Sequence, residues 1–169
     1  MSEIPADFRK LFDRLSDPTE RDGALAEIEA LGPAALSAMR DGLRDGRSEV
    51  RRWCAYWFDR HADAASLHLL IPLLHDPKSK VRLFTVHSIS CEHCKTGEKT
   101  IDVVPHLIER IEDDDSIRVR RMAAASLAYG TPDPRAVPVF RGILETESDR
   151  KLRLHATLGL HRCREAGLI

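Results

Sequence analysis

The most chemically suggestive stretch of this sequence is SISCEHCKTGEKT, residues 88–100, which holds two of the four cysteines two residues apart. With His87 just before it, Cys91 and Cys94 complete an H-x3-C-x2-C pattern, and imidazole and thiolate are ligands that zinc prefers. His87 and Cys91 are four residues apart, so a helix would place them on one face with Cys94 just beyond. The sequence therefore offers three zinc ligands near one helix end.

A closed zinc site needs a fourth ligand, and no second pair of the C-x2-C or H-x3-H type occurs in the chain. The fourth ligand would have to come from His93, from His61 or from water. A redox role is less favoured, because the cysteines follow a helix, whose C-terminal dipole disfavours the thiolate. We therefore predict no resident metal or cofactor and interpret the stretch as a surface loop. Zinc bound by His87, Cys91 and Cys94 is the alternative.

The composition indicates a globular protein but leaves its partner open. The 169-residue chain is 43% hydrophobic, which is enough for a sizeable core, and it carries 26 basic against 27 acidic residues. A net charge this close to zero favours neither a nucleic-acid nor a membrane partner. The sequence shows no signal peptide and no apolar run long enough to span a membrane. We therefore expect a cytoplasmic protein with reduced cysteines.

Four segments of the chain match one template. They are EVRRWCAYWF (49–58), KVRLFTVHSI (80–89), RVRRMAAASL (118–127) and KLRLHATLGL (151–160). Each has an aliphatic anchor followed at once by arginine, with a small residue four positions after the anchor and a large apolar residue eight positions after it. Positions 0, 4, 7, 8 and 11 share one face of a helix, so the template predicts an amphipathic helix. A degenerate fifth copy, ERDGALAEI, occupies residues 20–28.

A second apolar segment precedes each template, and an acidic residue stands five positions before each of the four anchors. The repeating unit is therefore a helix, a short polar turn and a second helix. This pattern resembles HEAT repeats, in particular the short bacterial type similar to phycobilisome lyase HEAT-like repeats. The resemblance implies an all-α fold, a right-handed α-solenoid of about five helix pairs with the second helices on the concave face. A single domain would span residues 1–169, with repeats at about 5–31, 33–61, 63–94, 100–129 and 134–165.

The template also predicts specific core positions and a ladder of ion pairs. The anchor and small or large apolar positions should be buried: Val50, Cys54, Phe58, Val81, Ile89, Val119, Ala123, Leu127, Leu152 and Leu160. The template arginines should bridge adjacent repeats by pairing with the acids of the turns, because the planar guanidinium suits carboxylates. The arginines are Arg51, Arg82, Arg120 and Arg153, and the acids are Asp45, Asp76, Asp114 and Glu147.

A second stripe, at positions 3, 6 and 10 after each anchor, carries aromatic, apolar or basic residues where a plain solvent-facing surface would carry Glu, Lys or Gln. Either the stripe packs between neighbouring helices or it is an exposed binding strip. We predict a strip that binds a partner segment through Trp53, Tyr56, Phe84, His87, Met122 and His155. Four cations remain outside the ladder, of which the first two are predicted to meet acidic groups of the partner: Arg52, Arg121, Lys80 and Lys151.

Catalytic signatures are missing from the sequence. No Gly-rich phosphate loop, Ser/His/Asp order or paired-carboxylate motif is found, and the His-Glu pairs of HEAT-like di-iron hydroxylases do not occur. We therefore predict a non-catalytic protein–protein interaction scaffold that binds a protein or peptide. The alternatives are a nucleic-acid-binding HEAT-like module and one subunit of a lyase-like HEAT-repeat pair.

Overall fold

The computed structural model describes residues 6–91 and 101–169, and within those ranges it contains helices and no strand. The α-helices are α1 (Ala6–Ser16), α2 (Arg21–Leu31), α3 (Leu36–Gly42), α4 (Ser48–His61), α5 (Ala64–Leu70), α6 (Ser79–Ser90), α7 (Val104–Asp113), α8 (Ile117–Tyr129), α9 (Ala136–Thr146) and α10 (Arg150–Glu165). Short 3₁₀ turns precede α3 and follow α5, at Gly32–Ala35 and Ile71–His75. The predicted all-α class is confirmed.

The helices form five successive pairs, from α1 with α2 to α9 with α10. The second helices α4, α6, α8 and α10 pack side by side in one layer, and each of their first helices packs behind its own second helix. Contacts therefore link each pair mainly to its neighbours, which is the architecture of an α-solenoid. The first pair departs from the pattern, because α1 packs against both α2 and α4. No helix in the described ranges is both long enough and apolar enough to cross a membrane.

The core follows the template. Nine of the ten predicted core positions are buried, from Val50 on α4 to Leu152 on α10. The exception is Leu160, which is half-buried because it lies on α10, the last helix of the layer in the described chain. The repeated spacing of anchor, small and large residues thus identifies the face that each second helix buries.

The predicted arginine ladder is confirmed between the second, third and fourth pairs. Arg51 donates from Nε and Nη2 to the two carboxylate oxygens of Asp76, at 2.7 and 3.1 Å, and from Nη1 to the Asp45 carbonyl at 2.7 Å. Arg82 repeats this arrangement with both oxygens of Asp114, at 2.7 and 2.8 Å, and with the Asp76 carbonyl at 2.8 Å. Each guanidinium therefore binds the turn of its own pair with one nitrogen and the acid of the next pair with two.

The C-terminal end of the ladder uses different groups. Arg120 pairs with Glu147, which replaces the aspartate of the earlier turns. Asp149 then N-caps α10, accepting the backbone N–H groups of residues 151 and 152 at 3.1 and 3.0 Å. Arg153 donates only from Nη1, to the carbonyls of Leu144 and Glu147, at 2.6 and 3.2 Å. Within the described chain, no carboxylate of a following pair meets this last arginine.

The N-terminal end of the ladder also deviates from the template. Arg21, in the degenerate copy, approaches Glu49 at 3.7 Å instead of Asp45, the acid at the template position. The Asp45 carboxylate is instead bound by Arg47 from its own turn, with a contact between Nε and Oδ1 of 2.9 Å. The first helix pair is therefore joined to the second by a different ion pair from those used further along the stack.

Candidate partner-binding surface

The stripe predicted from positions 3, 6 and 10 lies along the layer of second helices, and none of its twelve residues is buried. Each of them is half-buried or exposed, so the stripe is accessible along the layer. We call this surface the second-helix stripe. Its residues are Trp53, Tyr56, Arg60, Phe84, His87, Cys91, Met122, Ala125, Tyr129, His155, Leu158 and Arg162.

Three aromatic rings from α4 and α6 form one cluster at the N-terminal part of the second-helix stripe. The Trp53 and Tyr56 centroids are 5.5 Å apart, and the Phe84 centroid lies 5.8 Å from Trp53 and 5.7 Å from Tyr56. Tyr56 meets both neighbours nearly edge to face, a geometry that aromatic pairs prefer. Trp53 and Phe84 pack partly on the core, and Tyr56 is 36% exposed. The cluster is thus fixed by packing on the core, while part of its ring surface is exposed to solvent.

Arg52 holds this cluster and is not available to a partner. Its guanidinium carbon lies 4.5 Å from the Trp53 ring centroid, and its Nη2 lies 2.5 Å from a Glu49 carboxylate oxygen. The residue is only 8% exposed, and burial, with a smaller contribution from Arg21, lowers its pKa against the opposing effect of Glu49. The sequence alone suggested that Arg52 meets acidic groups of a partner, but its charge is already paired. The i, i+3 spacing of Glu49 and Arg52 on one helix was the signal for this.

Arg121 is likewise engaged within the chain. It binds both carboxylate oxygens of Asp149, with a contact from Nε of 2.9 Å, and this hydrogen bonding raises the pKa of Arg121. The same contact, followed by the N-cap hydrogen bond, holds the pKa of Asp149 well below its ordinary value. Arg121 therefore joins α8 to the start of α10. Lys80 and Lys151, the other two candidate cations, are exposed and form no ion pair with a described residue.

A pocket of about 200 Å³ lies between α6 and α8 in the middle of the second-helix stripe. It brings together residues of two neighbouring templates and combines apolar and hydroxyl-bearing side chains. Its lining residues are His87, Ser90, Cys91, Met122, Ala125, Ser126, Tyr129 and Gly130. The volume is enough for one large side chain. The second-helix stripe therefore has two distinct features, the aromatic cluster and this pocket.

His155 closes the stripe on α10, where its ring meets Tyr129 edge to face with centroids 5.9 Å apart. Burial lowers the pKa of His155, the Lys151 ammonium adds to that effect, and Asp149 opposes it. Its Nδ1 is buried and has no hydrogen-bond partner among the described residues. His155 is therefore held as a neutral ring at neutral pH, and its contribution to the stripe is largely apolar.

His87 belongs to a second grouping that the sequence did not reveal. Its Nδ1 lies 3.0 Å from Oδ1 of Asp59 on α4, and one donor atom each of Asp59, His87 and Cys91 lie within 4.8 Å of one another. Cys94, the third ligand considered from the sequence, lies outside the described residues. Asp59 was missed because it comes from the preceding repeat, and no spacing within one repeat points to it.

The comparison with known proteins supports the repeat architecture. Residues 104–166 match the family model for HEAT repeats, which covers α7 to α10. No curated protein matches the chain. The second and third helix pairs repeat the same packing and the same arginine ladder, so the structure extends the resemblance beyond the matched segment. Repeats of this kind commonly present extended binding surfaces to other proteins.

Proposed function

We propose that this protein is a non-catalytic scaffold whose second-helix stripe binds a segment of a partner protein on the concave face of the solenoid. The cluster of Trp53, Tyr56 and Phe84 carries the proposal, because three partly exposed aromatic rings are held rigidly on neighbouring helices. Aromatic anchors of this kind dominate the energetics of protein interfaces, and rigid ones lose little conformational entropy on binding. A surface used only for solubility would have no use for such a cluster.

The stripe also indicates the chemistry of the partner segment. Met122 and Tyr129 help line the pocket between α6 and α8, which would accept one large apolar side chain of the segment. Lys80 and Lys151 are exposed cations at the N-terminal ends of α6 and α10, so they would meet acidic residues flanking the apolar ones. We assign Arg52 the role of supporting Trp53. The proposed partner is therefore an extended or helical peptide with apolar anchors and acidic flanks.

The proposal is tested by comparing capture of native-host proteins on the wild type and on a Trp53→Ala/Tyr56→Ala double variant. If these rings are hot spots, each truncation costs about 2 kcal/mol or more, which corresponds to roughly 30-fold weaker binding. The matched control is Leu154→Ala, because Leu154 is an apolar residue that is 62% exposed on α10 but lies off the stripe. The captured partner should then protect amides of α4 and α6 from hydrogen exchange. Equal loss in the control, or protection confined to the first helices, would refute the proposal.

The same capture, repeated at raised salt and followed by identification of the bound molecules, distinguishes the two alternative functions from this proposal. Binding to nucleic acid through lysine and arginine releases counterions, so it would fall steeply as salt is raised, whereas an aromatic groove should tolerate salt. The resemblance to phycobilisome lyase HEAT-like repeats implies instead a second HEAT-repeat subunit. That partner would appear in the capture as a stoichiometric HEAT-repeat chain identified by mass spectrometry.

A further inference from the structure

A carboxylate, an imidazole and a thiol converge where α4 and α6 lie side by side. Asp59 comes from α4, His87 from the last turn of α6, and Cys91 is the C-cap residue directly after α6. Their donor atoms lie within 4.8 Å of one another. We propose that Asp59, His87 and Cys91 bind one zinc ion, with a fourth coordination position left for water or an external donor. This departs from the sequence expectation of no metal, because Asp59 supplies the donor that the motif lacked.

The backbone presents these donors before any metal is bound. His87 and Cys91 lie one helical turn apart, and the Cys91 amide donates to the His87 carbonyl at 2.9 Å, which fixes the cysteine to the end of the helix. Asp59 is held by the packing of α4 against α6, and its side chain is only 8% exposed. Little chain entropy therefore remains to be lost when the three donors close around an ion.

The separations fit zinc after a small adjustment of rotamers. Zinc bonds of about 2.0–2.3 Å in tetrahedral geometry place neighbouring ligand atoms roughly 3.3–3.6 Å apart. His87 Nδ1 and Asp59 Oδ1, at 3.0 Å, are already close to that separation, and no other pair of donors lies more than 4.8 Å apart, so about 1 Å of contraction is enough. Cys91 is half-buried at the end of its helix, so its side chain can make this movement.

The donor set selects a class of metal. Calcium and magnesium prefer all-oxygen sites, whereas a thiolate with an imidazole selects zinc and similar transition metals. Binding forms a bond between zinc and sulfur and breaks the S–H bond of Cys91, whose proton passes to the buffer. Three protein ligands with one open position are the arrangement of zinc sites that accept an exogenous ligand. His87 and Cys91 also line the pocket between α6 and α8, so a donor group seated there would be next to the ion.

The proposal is tested with cobalt(II) as a spectroscopic probe on the full chain after treatment with chelator and reductant. We expect one equivalent of Co²⁺ to give intense visible d–d bands and a near-ultraviolet thiolate charge-transfer band, both displaced by one equivalent of Zn²⁺. Cys91→Ser should remove the charge-transfer band. Asp59→Asn and His87→Gln should each weaken binding at least about 10-fold, because loss of even an outer-shell partner of a metal ligand costs about that much in affinity.

The control is Cys163→Ser, because this buried cysteine on α10 lies outside the donor set, and its variant should bind Co²⁺ as the wild type does. The circular dichroism melting curve of each variant verifies folding. If Asp59→Asn unfolds, the two half-buried positions His87 and Cys91 still decide the question. Weak octahedral Co²⁺ spectra in the wild type would overturn the proposal. Full affinity in a folded Asp59→Asn protein would overturn it too, since Asp59 would then not be a ligand.

Discussion

Arg82 on α6 and Asp114 after α7 form an ion pair that is buried on both sides. Two contacts of 2.7 and 2.8 Å join the guanidinium to both carboxylate oxygens, and the side chains are 9% and 0% exposed. Asp114 also accepts the backbone N–H of Ser116 at 2.8 Å. A buried ion pair stabilises the fold only when all of its polar groups are hydrogen-bonded. Removal of one partner therefore leaves the other buried charge uncompensated.

Asp114→Asn should therefore lower the free energy of unfolding by about 3 kcal/mol, because the buried Arg82 guanidinium then keeps only the exposed Asp115 carboxylate as a charge partner. Urea denaturation followed by circular dichroism measures this change. The matched control is Asp115→Asn, since Asp115 also pairs with Arg82 but its side chain is 86% exposed. That variant should cost no more than about 0.5 kcal/mol. Equal losses in the two variants would show that burial does not set the strength of the ladder.

The same pair makes stability depend on pH. Burial alone would raise the pKa of Asp114, but hydrogen bonds from Arg82 and Ser116, with the Arg82 charge, hold it below its ordinary value of 3.8. Folding therefore favours the ionised form, and the contribution of Asp114 is present above that value and lost as the pH falls below it. The difference in unfolding free energy between wild type and Asp114→Asn should shrink between pH 5 and pH 3, in denaturation curves about one pH unit apart. A difference that stays constant over this range would contradict the assignment.

Alanine substitution at two glycines of α9 and α10 is predicted to change stability in opposite directions, because only one of them lies where the two helices approach closely. A Cβ on Gly159 would lie 2.2 Å from a ring carbon of Phe140, whereas a Cβ on Gly142 would meet nothing within 4 Å. Alanine is favoured over glycine in a helix by about 1 kcal/mol, so Gly142→Ala should stabilise the protein by about 0.5–1 kcal/mol. Gly159→Ala should destabilise it by about 1–3 kcal/mol, because the buried Phe140 ring must shift.

Thermal or urea unfolding of the two variants, measured side by side, checks this prediction. Both substitutions lie in helix interiors and add the same methyl group, so the helix preference of alanine cancels between them. If Gly159→Ala were as stabilising as Gly142→Ala, then α9 and α10 would not be in the close contact that the structure shows.

His155 provides a test of the electrostatics of the stripe. Its pKa lies below the ordinary value of 6.5, first because of burial and second because of Lys151. Since folding disfavours the protonated ring, stability should fall as the pH drops below 6.5. Lys151→Gln should raise the His155 pKa, and Lys80→Gln should leave it unchanged. An NMR titration of the imidazole resonances measures the His155 pKa in both variants. A pKa that does not change in Lys151→Gln would argue against this electrostatic interaction.

The fold was predictable from the sequence because its determinants repeat within short windows. The spacing of Val50, Cys54 and Phe58 identifies a buried helical face without any knowledge of its neighbours, and the same spacing recurs three times. The acid and arginine of the ladder were predictable for the same reason, since Arg51 and Arg82 share one template position in successive units and their partners Asp76 and Asp114 share another. Periodicity thus carries information about contacts between repeats when every repeat makes the same contact.

The features that were not predictable depend on contacts made only once. Asp59 and His87 stand nine and six positions after their anchors, and no other two successive copies of the template carry a carboxylate and an imidazole at those positions. The sequence suggests that Arg121 is available to a partner, but Asp149 lies near it because the last turn has a glutamate at the ladder position and an aspartate two residues later. Such individual contacts follow from packing, which the periodic pattern does not encode.

The ladder also gives the stack a direction. In each complete contact of the ladder, the arginine of one helix pair donates to a carboxylate of the next pair along the chain. The Nε and Nη2 groups of Arg153 meet no carboxylate in the described chain. An engineered helix pair fused after Ile169, with an acid five residues before its anchor, would therefore find its docking group already in place. A helix pair added before α1 would find no such group, because the residue five positions before the anchor slot of the degenerate copy is Leu15 and not an acid. The ladder therefore favours lengthening of the stack at its C-terminal end.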